Sequence, residues 1–207
     1  MTGRFISLEG GEGAGKSTQA KRLAEALRGR GIEVVETREP GGSPGAEAIR
    51  ALLLEGDEQR WTPEAEALLF AAARADHVAR TIRPAIEAGR WVISDRFLDS
   101  SIAYQGGAGG LGFDRIRALH AFGSRDFLPD RTLLLRLAPE EAAARARQRD
   151  TAGADRIGAR GEDYHAKVAS SFAALAGAEP GRLRVVDAGG SADDVTTRML
   201  AAIEDLL

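Results

Sequence analysis

A glycine-rich run, LEGGEGAGKST at residues 8–18, has the residue types and spacing of a phosphate-binding loop. It fits the pattern G-x-x-x-x-G-K-[ST], with Gly10, Gly15, Lys16 and Ser17 at the fixed positions. Glycines let successive backbone N–H groups turn toward an anion, and a following helix adds the positive end of its dipole. The lysine reaches the terminal phosphates and the hydroxyl binds Mg²⁺. The alternative is a flexible glycine loop, which needs neither Lys nor Ser there.

The charge in this run is too small for handling a polyphosphate. From Gly10 to Thr18 it contains one acid, Glu12, and one base, Lys16. Further cations must come from elsewhere, and the run RARQRD supplies Arg145, Arg147 and Arg149. Arg145 and Arg149 are spaced to share one helical face. A solvated basic face is the alternative interpretation.

Two further polar groups follow apolar, strand-like runs. WVISDR ends in Asp95 and Arg96, and an acid at a strand end beside a phosphate loop can hold Mg²⁺ directly or through water. TREPGGSPG places Arg38 at the end of another strand, where ligands bind in open α/β sheets. The alternatives are a surface arginine and a plain surface turn.

Aromatic residues near polar ones form two weaker candidates. In LLFAAARADH, Phe70 and Arg74 are four residues apart and share one helical face, which suits stacking on a base and pairing with its carbonyl. On sequence alone, burial of Phe70 in the core is the favoured alternative. In SSIAYQGG, Tyr104 and Gln105 precede a glycine break and by themselves indicate no function.

The elements that must position these residues alternate along the chain. Five short, mostly apolar runs predict buried parallel strands: RFISLE, IEVVETRE, RWVISDR, RTLLLRL and RLRVVDA. Helical patterns lie between them, one with Thr62 as N-cap before Pro63 and one with a capping box at Ser191 and Asp194. This alternation predicts a doubly wound α/β fold. We expect one domain over residues 1–207, with an insert at about 145–163.

Composition excludes several classes of protein. The 207 residues include no cysteine, which excludes disulfides and thiolate metal sites. They include no asparagine, which excludes the N-K-x-D guanine-reading motif and the Mg²⁺-binding Asn of protein kinases. The net charge of −3 does not favour nucleic-acid binding. No apolar run has the roughly 20 residues that cross a bilayer and no signal-peptide pattern begins the chain, so we expect a cytoplasmic protein that does not bind membranes.

The motifs together resemble bacterial thymidylate kinase, a P-loop nucleoside-monophosphate kinase family. GGEGAGKS, TREPGGS, LLFAAAR, SDRF and AYQGG occur in the order and approximate spacing of that family. The resemblance implies a three-layer P-loop fold, a five-stranded parallel sheet flanked by helices, with a short arginine-bearing lid. It also implies transfer from ATP to dTMP with Mg²⁺, and a homodimer.

The resemblance assigns a role to each candidate. Arg38 and Arg96 would hold the acceptor phosphate, and Glu12 would face the acceptor sugar and orient Arg96. The ATP site would comprise Gly10, Gly11, Glu12, Gly13, Ala14, Gly15, Lys16, Ser17 and Thr18. Thymine would lie on Phe70 and near Arg74, Ser101 and Gln105, with Tyr104 along the sugar, excluding a ribose 2′-hydroxyl. Ser17 and Asp95 would hold the metal, and the catalytic groups would be Lys16, Arg96 and, from the lid, Arg149.

Two other functions fit parts of the sequence. One is the same chemistry on another acceptor, such as dUMP, CMP or a deoxynucleoside. The other is a P-loop regulatory ATPase, which needs an attacking water and no second nucleotide pocket. The pair of arginines at Arg38 and Arg96 argues against the ATPase, because that pattern suits an acceptor phosphate.

Overall fold

A five-stranded parallel sheet organises the molecule, as the alternating pattern predicts. The computed structural model describes residues 2–57, 59–138, 141–142, 145 and 156–207. In that part of the chain the strand order is β2-β3-β1-β4-β5. The strands are β1 Phe5–Glu9, β2 Val34–Arg38, β3 Trp91–Asp95, β4 Arg131–Arg136 and β5 Leu183–Asp187. All five predicted strands are confirmed, each within the run that predicted it. The prediction that all are buried is wrong for the two edge strands: no residue of β2 is buried and three of the five residues of β5 are exposed, because each has a neighbouring strand on one side only.

Helices cover both faces of the sheet. They are α1 Lys16–Arg28, α2 Pro44–Leu54, α3 Pro63–His77, α4 Arg83–Glu87, α5 Leu98–Ser101, α6 Phe113–Ser124, α7 Glu162–Ala178 and α8 Ala192–Ala202. Two π-helical segments, Val78–Ile82 and Ile102–Ala108, continue α3 and α5 without a break. In the described residues no helix is both long enough and apolar enough to span a bilayer.

The side chains of β1 alternate between two apolar cores. Phe5 packs into the core beneath α3, α6 and α7, whereas Ile6 and Leu8 pack into the core beneath α1 and α8. All five residues of β1 are buried, because helices cover a parallel sheet on both sides. This arrangement is the predicted three-layer architecture, with β1 in the middle of the sheet.

Helix capping follows the sequence signals. The Thr62 hydroxyl accepts a hydrogen bond from the Ala65 N–H at 3.3 Å, and α3 begins at Pro63. At α8, the Ser191 hydroxyl accepts from the Asp194 N–H, and the Asp194 carboxylate accepts from the Ser191 N–H, both at 3.2 Å. These contacts satisfy N–H groups that the first helical turn leaves unpaired, and they confirm both predicted N-termini.

The order of the strands brings the candidate residues to one edge of the sheet. Strand β1 lies between β3 and β4, and Leu8 is in register with Asp95. Strand β2 pairs with the other side of β3, so Arg38 is in register with Asp95 too. The carboxyl ends of β2, β3 and β1 therefore place Arg38, Asp95 and the glycine loop side by side.

His120, on α6, gives the fold a testable pH dependence. The side chain is 3% exposed and its Nε2 donates to the Phe127 carbonyl at 3.0 Å. Burial, aided by the charge of Arg74, lowers its pKa to about 4. An unfolded histidine titrates at about 6.5. The stabilisation by neutral His120 is therefore complete above about pH 6.5 and is lost as the pH falls toward 4.

As the pH falls from 7 to 5, the free energy of unfolding should decrease in the wild type because unfolded His120 gains a proton. We expect this decrease to be about 2 kcal/mol smaller in His120→Gln. Urea denaturation at the two pH values measures this difference. Equal pH dependence in wild type and His120→Gln would contradict the assignment.

Candidate active site

The glycine loop after β1 adopts a conformation that side chains disfavour. Gly10 has φ +141°, and a Cβ there would lie 2.5 Å from the Leu135 carbonyl oxygen at the end of β4. Gly15 has φ +83° in the left-handed region and is the N-cap of α1. Glycine is needed at both positions, at the first for close approach and at the second for backbone conformation. The loop thus leads directly into the N-terminus of α1, which favours anions.

Lys16 lies against this loop. Its Nζ donates to the Gly11 carbonyl at 2.8 Å, and the residue is 6% exposed. Burial, together with the nearby positive charge of Arg96, lowers the pKa of Lys16 to about 8. A phosphate oxygen at the loop would offer the ammonium a charged partner in place of a neutral carbonyl.

Ser17 and Asp95 place two side-chain oxygens of the kind that bind metal ions at the start of α1. The Ser17 hydroxyl donates to Asp95 Oδ2, while Asp95 Oδ1 is buried and has no hydrogen-bond partner among the described residues. A buried carboxylate oxygen without a partner is costly, and a hard cation such as Mg²⁺ would relieve that cost. In the described part of the chain no cluster of three acidic or histidine side chains could hold a metal. The pair therefore fits an ion that takes its other ligands from phosphate and water.

Arg96 is held in a backbone conformation that is rare for arginine. Its φ is +70°, which costs free energy and persists only where neighbouring contacts enforce it. The Arg96 N–H donates to the Leu8 carbonyl at 2.9 Å, and the Ser94 hydroxyl donates to the Arg96 carbonyl at 2.7 Å. The side chain consequently turns toward the glycine loop, where Nη1 contacts the Gly10 carbonyl at 3.3 Å and Nη2 contacts Glu12 Oε1 at 2.6 Å.

A buried carboxyl group, that of Glu9, supports the backbone beneath Arg96. Its Oε1 accepts from the Phe97 N–H at 2.8 Å and its Oε2 from the Ser100 hydroxyl at 2.5 Å. Ser100 Oγ in turn accepts from Arg96 Nη1 at 3.1 Å. Burial, together with the charge of Asp99, raises the pKa of Glu9 to about 8. Glu9 thereby fixes the backbone just after Arg96 and, through Ser100, its guanidinium.

A second buried carboxylate, Glu39, organises the opposite wall. It accepts from Arg74 Nε at 2.8 Å and lies 3.0 Å from His77 Nδ1. Burial by itself would raise the pKa of Glu39, but Arg74 and His77 together hold it below its usual value. Arg74 also donates from Nη2 to the Phe97 carbonyl and to Ser101 Oγ, at 3.2 Å and 2.8 Å. Arg74 is therefore fixed from two sides.

Two adjoining cavities open at this edge of the sheet. The smaller is lined by Glu12, Glu39, Pro40, Arg50, Leu54, Phe70, Arg74, Arg96, Phe97, Ser100, Ser101, Tyr104, Gln105 and Ile157. Phe70 is only half-buried and faces this cavity, as do Arg74, Ser101 and Gln105. The Tyr104 ring lies 5.0 Å from the Arg96 guanidinium carbon. The polar and aromatic candidates from four separate segments thus meet around one space.

The larger cavity lies along the glycine loop. Loop residues from Glu12 to Thr18 line it, together with Asp95. Its cationic lining residues, within the described part of the chain, are Lys16, Arg38, Arg50, Arg96 and Arg145. Arg38 is half-exposed and pairs with Glu47 at 3.1 Å. These arginines supply positive charge that the glycine loop itself lacks.

Sequence reasoning missed three groups in the site. Arg50, on α2, lines both cavities and donates to the Pro40 carbonyl at 2.6 Å. Glu9 and Glu39 look in sequence like strand-end acids of no particular role. No local motif marks Arg50, and the partners of Glu9 and Glu39 lie at least 35 residues away along the chain. Two predicted arginines, Arg147 and Arg149, lie outside the described residues.

Comparison with known proteins gives one consistent result. The family model described as thymidylate kinase matches residues 8–199. The thymidylate kinase of Rhizorhabdus wittichii is 66% identical over 207 residues, covering 100% of both chains. That of Symbiobacterium thermophilum is 47% identical over 203 residues, covering 98% of this chain and 94% of the relative. The crystal structure of thymidylate kinase from Ehrlichia chaffeensis superimposes with a TM-score of 0.80 at 30% identity, covering 99% of each chain.

Proposed function

The chain belongs to the thymidylate kinase family, and we propose that it transfers the γ-phosphoryl group of ATP to dTMP, giving ADP and dTDP. The observation that carries this proposal is the position of Arg96. It lines both cavities and contacts the glycine loop through the Gly10 carbonyl. A group shared by two adjoining sites suits transfer between two bound nucleotides. A P-loop regulatory ATPase binds one nucleotide and needs no second cavity beside the ATP site.

ATP binds, in this proposal, in the larger cavity. The loop from Gly10 to Thr18 surrounds the donor phosphates, and Lys16 exchanges its contact with the Gly11 carbonyl for a phosphate oxygen. Ser17 and Asp95 hold Mg²⁺, which when bound neutralises charge on the β- and γ-phosphates. The partnerless Asp95 Oδ1 supports this placement.

The smaller cavity accommodates dTMP. Phe70 stacks on thymine, and Arg74, Ser101 and Gln105 face the edge of the base. Tyr104 lies along the sugar, where its ring leaves no room for a 2′-hydroxyl. Support comes from the cavity lining, which contains all five side chains.

Arg38 and Arg96 bind the acceptor phosphate between the two cavities. Its attacking oxygen belongs to a phosphate monoester, which is mostly ionised at pH 7 because its second pKa is about 6. The site therefore needs no general base, and catalysis rests on positioning and charge neutralisation. Glu12 Oε1, 2.6 Å from Arg96 Nη2, keeps that guanidinium aimed at the junction.

Two proposals concern the whole molecule. Residues 1–207 form one kinase domain that acts in the cytoplasm, where ATP is available. The domain forms a homodimer through the face of α3 and α6 that carries Leu68 and Phe122, which are 56% and 93% exposed. Homodimer interfaces are more apolar than the rest of a protein surface, and sedimentation velocity distinguishes a dimer from a 21.9 kDa monomer.

A coupled assay of ADP release, with and without dTMP, tests the proposed reaction. We expect release to depend on dTMP, and Lys16→Ala to lower kcat by roughly 10²–10³-fold, because it removes an electrostatic contact to the transferring group. Lys21→Ala, at an exposed lysine on the same helix, is the matched control and should retain full activity. Release that ignores dTMP would support the regulatory ATPase. Activity with dUMP, CMP or a deoxynucleoside but not dTMP would support another acceptor.

For Phe70→Ala we expect dTMP binding to weaken by about 1–3 kcal/mol, the range for an aromatic ring stacked on a base. Calorimetric titration with dTMP measures the loss, and ADP affinity should stay unchanged. If Phe70 served only the core, the variant would melt at a lower temperature while its folded fraction bound dTMP normally.

We also propose that Arg149, from the run that Arg145 begins, neutralises charge on the migrating phosphoryl group. Arg145 supports this because it lines the larger cavity. Arg149→Ala should lower kcat and kcat/KM together by on the order of 10²–10⁴-fold, and Arg149→Lys should recover only part of the loss. Steady-state kinetics and dTMP titration measure these effects. A rise in the KM for ATP alone would make Arg149 a ground-state contact. No change would leave Arg145 or Arg147 as the acting group.

A further inference from the structure

A buried hydrogen bond fixes the orientation of the Gln105 side chain. Gln105 lies in the π-helical segment 102–108 and lines the smaller cavity. Its Nε2 donates to Glu66 Oε1, on α3, at 2.9 Å, and both residues are 3% exposed. A carboxylate can only accept hydrogen bonds, so the amide nitrogen must face Glu66. The amide oxygen of Gln105 is left for the cavity.

Glu66 is itself locked in place by two arginines. Its Oε2 accepts from Arg156 Nη2 at 2.5 Å and from Arg160 Nη2 at 2.7 Å. The Arg156 side chain is fully buried and also donates from Nε to the Leu53 carbonyl at 2.8 Å. Two guanidinium groups on Oε2 leave Oε1 for Gln105, so the carboxylate cannot turn away. Glu66 is not among the described residues that line the cavity.

The same cavity receives hydrogen-bond donors from Arg74. Its Nε and Nη2 are engaged by Glu39, Phe97 and Ser101. Among the described residues no acceptor is paired with Nη1, which is therefore the nitrogen free to donate to a ligand. An arginine can only donate. Ser101, which accepts from Arg74 Nη2, lies four residues before Gln105, so this wall presents a fixed donor and a fixed acceptor.

The edge of a pyrimidine can match or oppose this pattern. Thymine and uracil present a carbonyl oxygen at C4 beside an N3–H donor, so the carbonyl suits Arg74 and the N3–H suits the Gln105 oxygen. Cytosine presents an amino group at C4 beside an N3 acceptor, which reverses both. The cytosine amino group would face the Arg74 donor, and cytosine N3 would face the Gln105 oxygen, which is an acceptor. Groups that lose water and stay unpaired in this way reduce the binding free energy.

We propose that Glu66 is a specificity-determining positioning residue, which fixes the Gln105 amide so that the site accepts 4-oxopyrimidine nucleotides and rejects 4-aminopyrimidine nucleotides. This inference rests on the proposed function, since it concerns the acceptor of that reaction. Glu66 acts without touching the base. Without Glu66 the Gln105 amide can rotate by half a turn and offer its nitrogen to cytosine N3.

The test compares kcat/KM for dTMP, dUMP and dCMP in the wild type and in Glu66→Gln. A glutamine at position 66 can accept or donate, so it no longer dictates the orientation of Gln105. We expect the ratio of kcat/KM for dTMP to that for dCMP to fall by roughly 10- to 100-fold, with kcat at saturating dTMP unchanged. Glu64→Gln removes the same charge from an exposed position on α3 and should preserve the ratio.

Gln105→Leu keeps the test decisive if Glu66→Gln fails to fold. Removing the acceptor itself should reduce the dTMP-to-dCMP ratio by a similar factor, and an unchanged ratio would overturn the proposal. Where both single variants fold, adding Glu66→Gln to Gln105→Leu should change the ratio no further, because Glu66 acts through Gln105. A further, independent fall in the double variant would also overturn it.

The outcomes separate this inference from the proposed function. If the wild type phosphorylates dTMP and Glu66→Gln keeps the wild-type ratio, the kinase assignment stands and Glu66 is only a structural ion-pair partner. If the wild type phosphorylates no pyrimidine monophosphate, the proposed function fails and this inference fails with it.

Discussion

The site depends on holding Arg96 in its left-handed backbone conformation. Arg96 follows β3, which pairs with the central strand β1. Its side chain contacts the glycine loop on one side and Tyr104 on the other. The strain is balanced by hydrogen bonds that come from β1, through the Leu8 carbonyl and the Glu9 carboxyl group. One residue thus lines both cavities, and hydrogen bonds from β1 hold its backbone in place. The same architecture explains why acids that look unremarkable in sequence are buried below the site.

Charge is distributed so that opposite signs are paired before any ligand arrives. The larger cavity is rich in cations, yet Arg96 faces Glu12, Arg38 faces Glu47 and Arg145 faces Glu141. Such pairing limits the repulsion among guanidinium groups while keeping them near the phosphate loop. Only three of the 28 basic residues are lysines. Arginine keeps its charge at every working pH and binds phosphate through a planar fork, so most of this positive field does not vary with pH.

Local sequence signals predicted the fold and part of the site. The signals are short-range patterns: the glycine loop, the strand ends at Arg38 and Asp95, and the spacing of Phe70 and Arg74. Each lies within a single loop, strand or helix, so the geometry of that element alone determines where its side chains lie. Glu66 and Arg156 could not be found in this way. Their contact joins residues 90 positions apart, so it exists only once α3 and the segment before α7 have packed. Helical spacing places Glu66 on the same face as Phe70, but it does not identify the partners that the carboxylate meets there.

The strand order also links ligand binding to the folding of the whole sheet. Gly10 in the loop after β1 and Arg96 after β3 are 86 residues apart in sequence. Strand β2, which ends in Arg38, pairs with β3 and has no direct pairing with β1. No continuous fragment that lacks any of these strands contains a complete site. A nucleotide that bridges the three strand ends therefore binds only the fully assembled sheet, and its binding free energy adds to global stability rather than to one local segment. Amide hydrogens in the middle of β1 and β3 would exchange more slowly with the nucleotide bound, although it touches neither strand interior.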